Sequence, residues 1–192
     1  PLNPPIPVKG VPKSLRGWNH EVTAALLTPV DLGYDLTLAS FNANVKTGRE
    51  SVTAMQLPRF LYPEGHEYRE DDIEEGLFHG HLMIRVRPFV LLLSLTQLEP
   101  SQSAKHLFVG PGSSLKGPGY KKGRAGVAKI IGMNKITPRA IAYVACQVRF
   151  ALSDVQEWNQ TDRDFDYTQF YWNIVSLFDN DECAEVIRFY NQ

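Results

Sequence analysis

The stretch Thr137-Pro138-Arg139-Ala140-Ile141-Ala142-Tyr143-Val144-Ala145-Cys146-Gln147-Val148-Arg149-Phe150-Ala151-Leu152 decides the fold class. Thr137 is a good helix cap, and Pro138 occupies the first helical position, where its missing N–H costs nothing. The run that follows is apolar on nearly every side, which describes a helix at the centre of a core. Arg149 is its one charge beyond the first turn. A buried guanidinium needs a partner, and the acid-rich chain beyond it is the expected source.

Working outward, a second helix is predicted from about Asp164 or Asp166, with Phe170, Tyr171, Ile174, Val175 and Phe178 inward. Asp179-x-x-Glu182 resembles a capping box for a last helix carrying Val186, Ile187 and Tyr190. On the N-terminal side, Asn19–Leu27 is a predicted helix capped by Asn19 and stopped by Pro29. From Val30 to Arg49 the pattern weakens, with Gly33 and Gly48 as turn signals. Glu50–Met55 alternates as a short strand. A helix is expected from Asp71 or Asp72, turning Ile73, Leu77, Phe78, Leu82 and Met83 inward until Pro88. The whole reads as mainly α: a single irregular helical domain over 1–192, with long loops and an extended proline-rich arm over 1–15 (Asn3-Pro4-Pro5-Ile6-Pro7).

Composition sets bounds. The chain has 192 residues, 43% hydrophobic and 21% charged, which excludes wholesale disorder and is long enough for a core without disulfides or metal. The two cysteines, Cys146 and Cys183, cannot form a disulfide framework, and an intracellular setting, nuclear or cytoplasmic, is expected. Pro1–Pro12 is proline-rich and carries no basic-then-apolar signal pattern. The most apolar stretch, Leu82–Leu98, is interrupted by Arg85, Arg87 and Pro88, so no membrane span is expected.

The net charge of −1 conceals a strong asymmetry. Residues 1–100 hold 9 basic and 12 acidic side chains; residues 101–150 hold 9 basic and none acidic; residues 151–192 hold 2 basic and 9 acidic. Within the acid-free segment, 109–129 is a basic, glycine-rich loop. Its Lys116, Lys121, Lys122, Arg124 and Lys129, with Tyr120 interleaved, form the candidate polyanion site. Lysines supply charge, glycines expose backbone N–H groups to phosphate, and Tyr120 offers a ring for stacking. The competing expectation is that the acidic C-terminal segment folds back and neutralises this charge within a protein–protein interaction or scaffold domain.

Signals for catalysis are thin. His79-Gly80-His81 resembles a metal pair, but residues two apart do not share a helix face, and neither HExxH nor cysteine ligands occur. Ser113-Ser114 do not sit in GxSxG, and Gly110–Lys122 is neither a Walker loop nor GxGxxG. The acidic run Glu64–Glu75 lacks the calcium-loop pattern. No catalytic residue, metal ligand set or cofactor is therefore assigned. An enzyme using His20, His106 and nearby acids ranks below both binding readings.

An ordered set of short motifs carries a family resemblance. It runs from Asn3-Pro4-Pro5-Ile6-Pro7 through His20-x-x-Thr23-x-x-Leu26-Leu27-x-Pro29, Pro58-x-Phe60-Leu61-Tyr62 and Gly76-Leu77-Phe78. It continues through Lys105-His106-Leu107-Phe108 and Ser113-Ser114, is strongest over Ala140–Ser153, and returns at Phe170-Tyr171 and Leu177-Phe178-Asp179. The set resembles the fungal domain of unknown function 6698. That resemblance implies fungal origin and intracellular residence, and brings no activity or catalytic residue. Relative to that family, Thr28 stands where Cys is usual, Gly110-Pro111-Gly112-Ser113-Ser114 replaces a Ser-Pro-Ser-Ser run, the stretch near Val90–Ala104 looks inserted, and Lys116–Lys122 is longer.

Overall fold

A computed structural model describes residues 12–32, 37–85, 136–179 and 183–192. Among these the chain is largely helical, with one small two-stranded sheet. The central helix is the one expected: Pro138–Leu152 (here α4). Thr137 Oγ1 accepts the Ala140 N–H at 3.3 Å, and at the far end the Ser153 hydroxyl donates to the Phe150 carbonyl at 2.9 Å. Eleven of its 15 residues are buried, so other elements cover it on several sides.

Helices α1 (Glu21–Leu27), α2 (Leu38–Thr47) and α3 (His81–Arg85) precede it, and α5 (Tyr167–Ser176) and α6 (Ala184–Asn191) follow. Helix α4 packs most extensively on α5 and also touches α1 and α3. The Cys146 thiol reaches the Tyr167 carbonyl at 3.6 Å, tying α4 to the start of α5. Asn191 clamps the entry to α4, accepting the Ile136 N–H at 2.7 Å and donating to the Ile136 carbonyl at 3.1 Å.

Several boundaries differ from the sequence reading. Helix α1 is capped by His20, whose Nδ1 accepts the Val22 N–H at 3.2 Å; Asn19 ends a preceding 3-10 turn, Gly17–Asn19, and donates to Ser14 and Asp154. Of the proposed N-terminal arm, Lys13–Leu15 is a 3-10 turn rather than extended chain, and residues 1–11 lie outside the described residues. Helix α2 fills the segment whose periodicity is weak. Only Phe41 and Val45 are buried there, too few for a clear pattern. Its ends are nevertheless marked, by Thr37 accepting the Ser40 N–H and by Gly48 at φ 72°.

Glu50–Met55 is not a strand. The sheet is a hairpin, β1 (Thr161–Asp162) and β2 (Phe165–Asp166), with Thr161 opposite Asp166 and Asp162 opposite Phe165. Nor does a helix start at Asp71. Asp72 instead accepts the Glu75 N–H in a side-chain turn, and the left-handed Gly76 (φ 73°) and Phe78 (φ 62°) prevent helical continuation. Leu77 and Phe78 are fully buried as expected, whereas Ile73 is exposed. The last helix starts at Ala184; Cys183 precedes it with no side-chain cap, and Glu182 lies outside the described residues.

Gly80 marks the tightest approach. Its N–H donates to the Leu61 carbonyl at 2.9 Å, and a Cβ there would fall on the Phe60 carbonyl oxygen. Gly48 has nothing within 4 Å of such a Cβ and is required only for its φ. Gly80→Ala should therefore cost ~3 kcal/mol or more, and Gly48→Ala about 1 kcal/mol. Urea denaturation checks this, and equal costs would contradict the packing described.

Candidate functional site

The predicted loop residues Lys116, Tyr120, Lys121, Lys122, Arg124 and Lys129, with His106, lie outside the described residues. The described portion of the acid-free segment is its end, which contributes Arg139 and Arg149 on α4. These two arginines have opposite fates.

Arg149 is 3% exposed and paired. Its Nη1 donates to Asp162 Oδ2 at 2.7 Å and to the Tyr167 hydroxyl at 3.0 Å, while the guanidinium carbon sits 3.5 Å over the Phe165 ring. The partner is an acid from the chain beyond, as the sequence requires, but its identity depends on the hairpin. Asp162 is the second residue of β1, and the turn that follows holds Arg163 at φ 56°. That conformation is secured from both sides: Arg163 Nη1 donates to the Val45 carbonyl at 3.1 Å, and Ser51 donates to Asp164 Oδ2 at 2.8 Å. The ion pair lines a cleft of about 350 Å³ with Trp18, Lys46, Glu50, Arg163 and Asp164. Its wall holds as many acids as bases, so it has no electrostatic bias toward an anion.

Arg139 is exposed, and its guanidinium carbon lies 5.8 Å from the ring centroid of Trp172 on α5. Trp172 is 52% exposed. The sequence reading missed this tryptophan. A signal existed: with Phe170, Tyr171 and Ile174 inward, the 3.6-residue period turns position 172 outward. Beside it, Met55 Sδ accepts from Asn173 at 3.2 Å and Gln169 at 3.6 Å, while Met55 itself is 67% exposed.

The histidines do not converge. His20 caps α1, His66 stacks on Tyr62, and His79 bonds the Leu77 carbonyl and packs on Phe189. His81 opens α3; burial followed by the Arg85 charge lowers its pKa. Among the described residues no three His, Cys, Asp or Glu side chains are grouped to hold a metal ion, and no helix is long and apolar enough to cross a membrane. Neither cysteine is in a disulfide and both are buried, and burial pushes the Cys146 thiol far up, keeping it protonated and unreactive.

Fold and site together define a largely helical protein in which, among the described residues, the buried Arg149–Asp162 ion pair is structural and Arg139 of the acid-free basic segment stands exposed beside Trp172. The chain belongs to the family of unknown function DUF6698, whose model matches residues 1–192. No curated protein and no solved structure matches the chain.

Two outcomes test this geometry. Arg149→Met leaves Asp162 buried and uncompensated and should cost about 3–5 kcal/mol, most of which the double variant Arg149→Met/Asp162→Leu recovers; a double variant as unstable as the single would show that the pair is not the cause. Lys13 is the second. Its ammonium lies 3.0 Å over the Phe150 ring without a hydrogen-bond partner. Burial first, then the neighbouring Arg16, lower its pKa from 10.5 to about 8, against the opposing pull of Asp162 and Asp154. Between these values the unfolded chain binds the proton that the folded one has released, so stability rises with pH across that window. The difference in thermal midpoint between wild type and Lys13→Met should therefore shift in favour of wild type from pH 8 to 10.

Proposed function

We propose that this protein is a non-enzymatic binding module that contacts nucleic acid or another polyanion through its basic, glycine-rich segment. The observation that carries the reading is the run 101–150, with 9 basic and no acidic side chains. Its candidate contact residues are Lys116, Tyr120, Lys121, Lys122, Arg124 and Lys129.

The local use of three of the nine C-terminal acids supports it. Asp164 is engaged with Ser51, Asp154 with Asn19, and Asp166 caps α5 by accepting the Thr168 and Gln169 N–H groups. Each of these carboxylates already serves a local structural purpose. We further read the protein as a mainly α, single-domain fungal protein with a proline-rich N-terminal arm, residing in the nucleus or cytoplasm; its buried cysteines, neither of them in a disulfide, fit a reducing compartment.

The alternative is a protein–protein interaction or scaffold domain whose basic segment is neutralised internally. One observation favours it: Arg149, from the acid-free segment, is neutralised by Asp162.

Salt titration of binding to labelled duplex and single-stranded DNA and RNA separates the two. The module reading expects log affinity to fall linearly with log salt, with a slope of roughly −0.9 per phosphate contacted on duplex DNA. A Lys121→Glu/Lys122→Glu/Arg124→Glu variant should lose this binding. Absence of binding at low salt by folded wild-type protein would falsify the module reading and favour the scaffold.

A further inference from the structure

We propose that Trp172 and Arg139 form a stacking platform for single-stranded nucleic acid. The inference rests on the polyanion reading above and narrows it to single strands.

Four observations converge on this surface. Trp172 is 52% exposed on α5, while the other two tryptophans are more enclosed: Trp18 at 4% and Trp158 partly buried in the cluster of Phe150 and Tyr167. Its ring is therefore not needed to fill the core. Arg139 stands over the ring at 5.8 Å from its centroid, near the ~6 Å limit of a cation–π contact, so it approaches the ring without packing tightly against it. Neither α4 nor α5 carries an acidic residue, and α5 (YTQFYWNIVS) carries no charge at all. A phosphate chain crossing this face meets a cation and no carboxylate on these two helices. Finally, in the sequence Lys135 lies four residues before Arg139.

The chemistry selects single strands. In a duplex the base faces are occupied by neighbouring bases, so an exposed indole has no face to meet. In a single strand they are free, and stacking works with any base because each has a π-face. Arg139 serves either as a phosphate contact or as a second planar surface, and the amides of Gln169 and Asn173, held beside Met55, add polar groups along the same helix. Duplex-binding specificity is not expected from this surface.

The test uses the full chain with three probes: a deoxythymidine oligonucleotide, a loop-free, blunt-ended DNA duplex and heparin. The oligonucleotide should quench the intrinsic tryptophan fluorescence. Trp172→Ala should abolish that quenching and weaken oligonucleotide binding about 5-fold to 150-fold, the range for loss of one stacked base. It should leave duplex and heparin affinities unchanged, and Trp172→Phe should retain most of the oligonucleotide affinity. Circular dichroism confirms that the variants fold. If Trp172→Ala binds all three probes like wild type, or weakens all three equally, the stacking platform is overturned while the polyanion reading stands. If folded wild type binds no probe at low salt, both fail.

Discussion

The Arg149–Asp162 pair is the interaction on which the described structure depends. A guanidinium near the end of an otherwise apolar central helix is tolerable only when its charge is met and its face is covered. Asp162 meets the charge, the Tyr167 hydroxyl accepts a second hydrogen bond, and the Phe165 ring lies against the cation. These partners come from the hairpin and the first residue of α5. Satisfying one side chain therefore fixes how the chain turns back after α4. The left-handed Arg163 belongs to the same arrangement: its strain is held by the bond to the end of α2.

The charges of this protein divide by role. Asp162, Asp164, Asp166 and Asp154 each complete a local structure, whether ion pair, turn, helix cap or loop contact. Arg149 is absorbed by the core, and the cleft beside it is electrically balanced. Arg139 is left at the surface beside an aromatic ring. Buried charge serves specificity of fold, whereas exposed charge is what a polyanion can meet, and the two arginines of one helix illustrate the difference.

The candidate site was only partly legible in the residues. That Arg149 needs an acid from the following segment follows from burial alone; that the acid is Asp162 does not, because no periodic pattern announces a two-residue strand. Trp172 was legible as an outward position once Phe170, Tyr171 and Ile174 were placed inward. Its pairing with Arg139 was not, since it depends on the packing of α4 against α5. His20, singled out as a possible acid or base, is a cap whose ring nitrogen is engaged by a backbone N–H.

The sequence by itself determined the central helix, its Thr137 and Pro138 start, the inward faces of α5 and α6, and the separation of charge into an acid-free and an acid-rich segment. These follow from local rules: capping chemistry, helical period and composition. Only the tertiary structure decided that 38–47 is a helix and that 71–80 is not. In the first, two buried side chains, Phe41 and Val45, suffice because Trp18 meets Phe41 edge-on at 6.1 Å. In the second, left-handed turns at Gly76 and Phe78 place Leu77 and Phe78 in the core, where Tyr190 donates to the Phe78 carbonyl at 2.7 Å. Contacts across more than 100 residues outweigh helix propensity there, because burial of whole aromatic side chains is worth more than the few tenths of a kcal/mol per residue that distinguish local conformations.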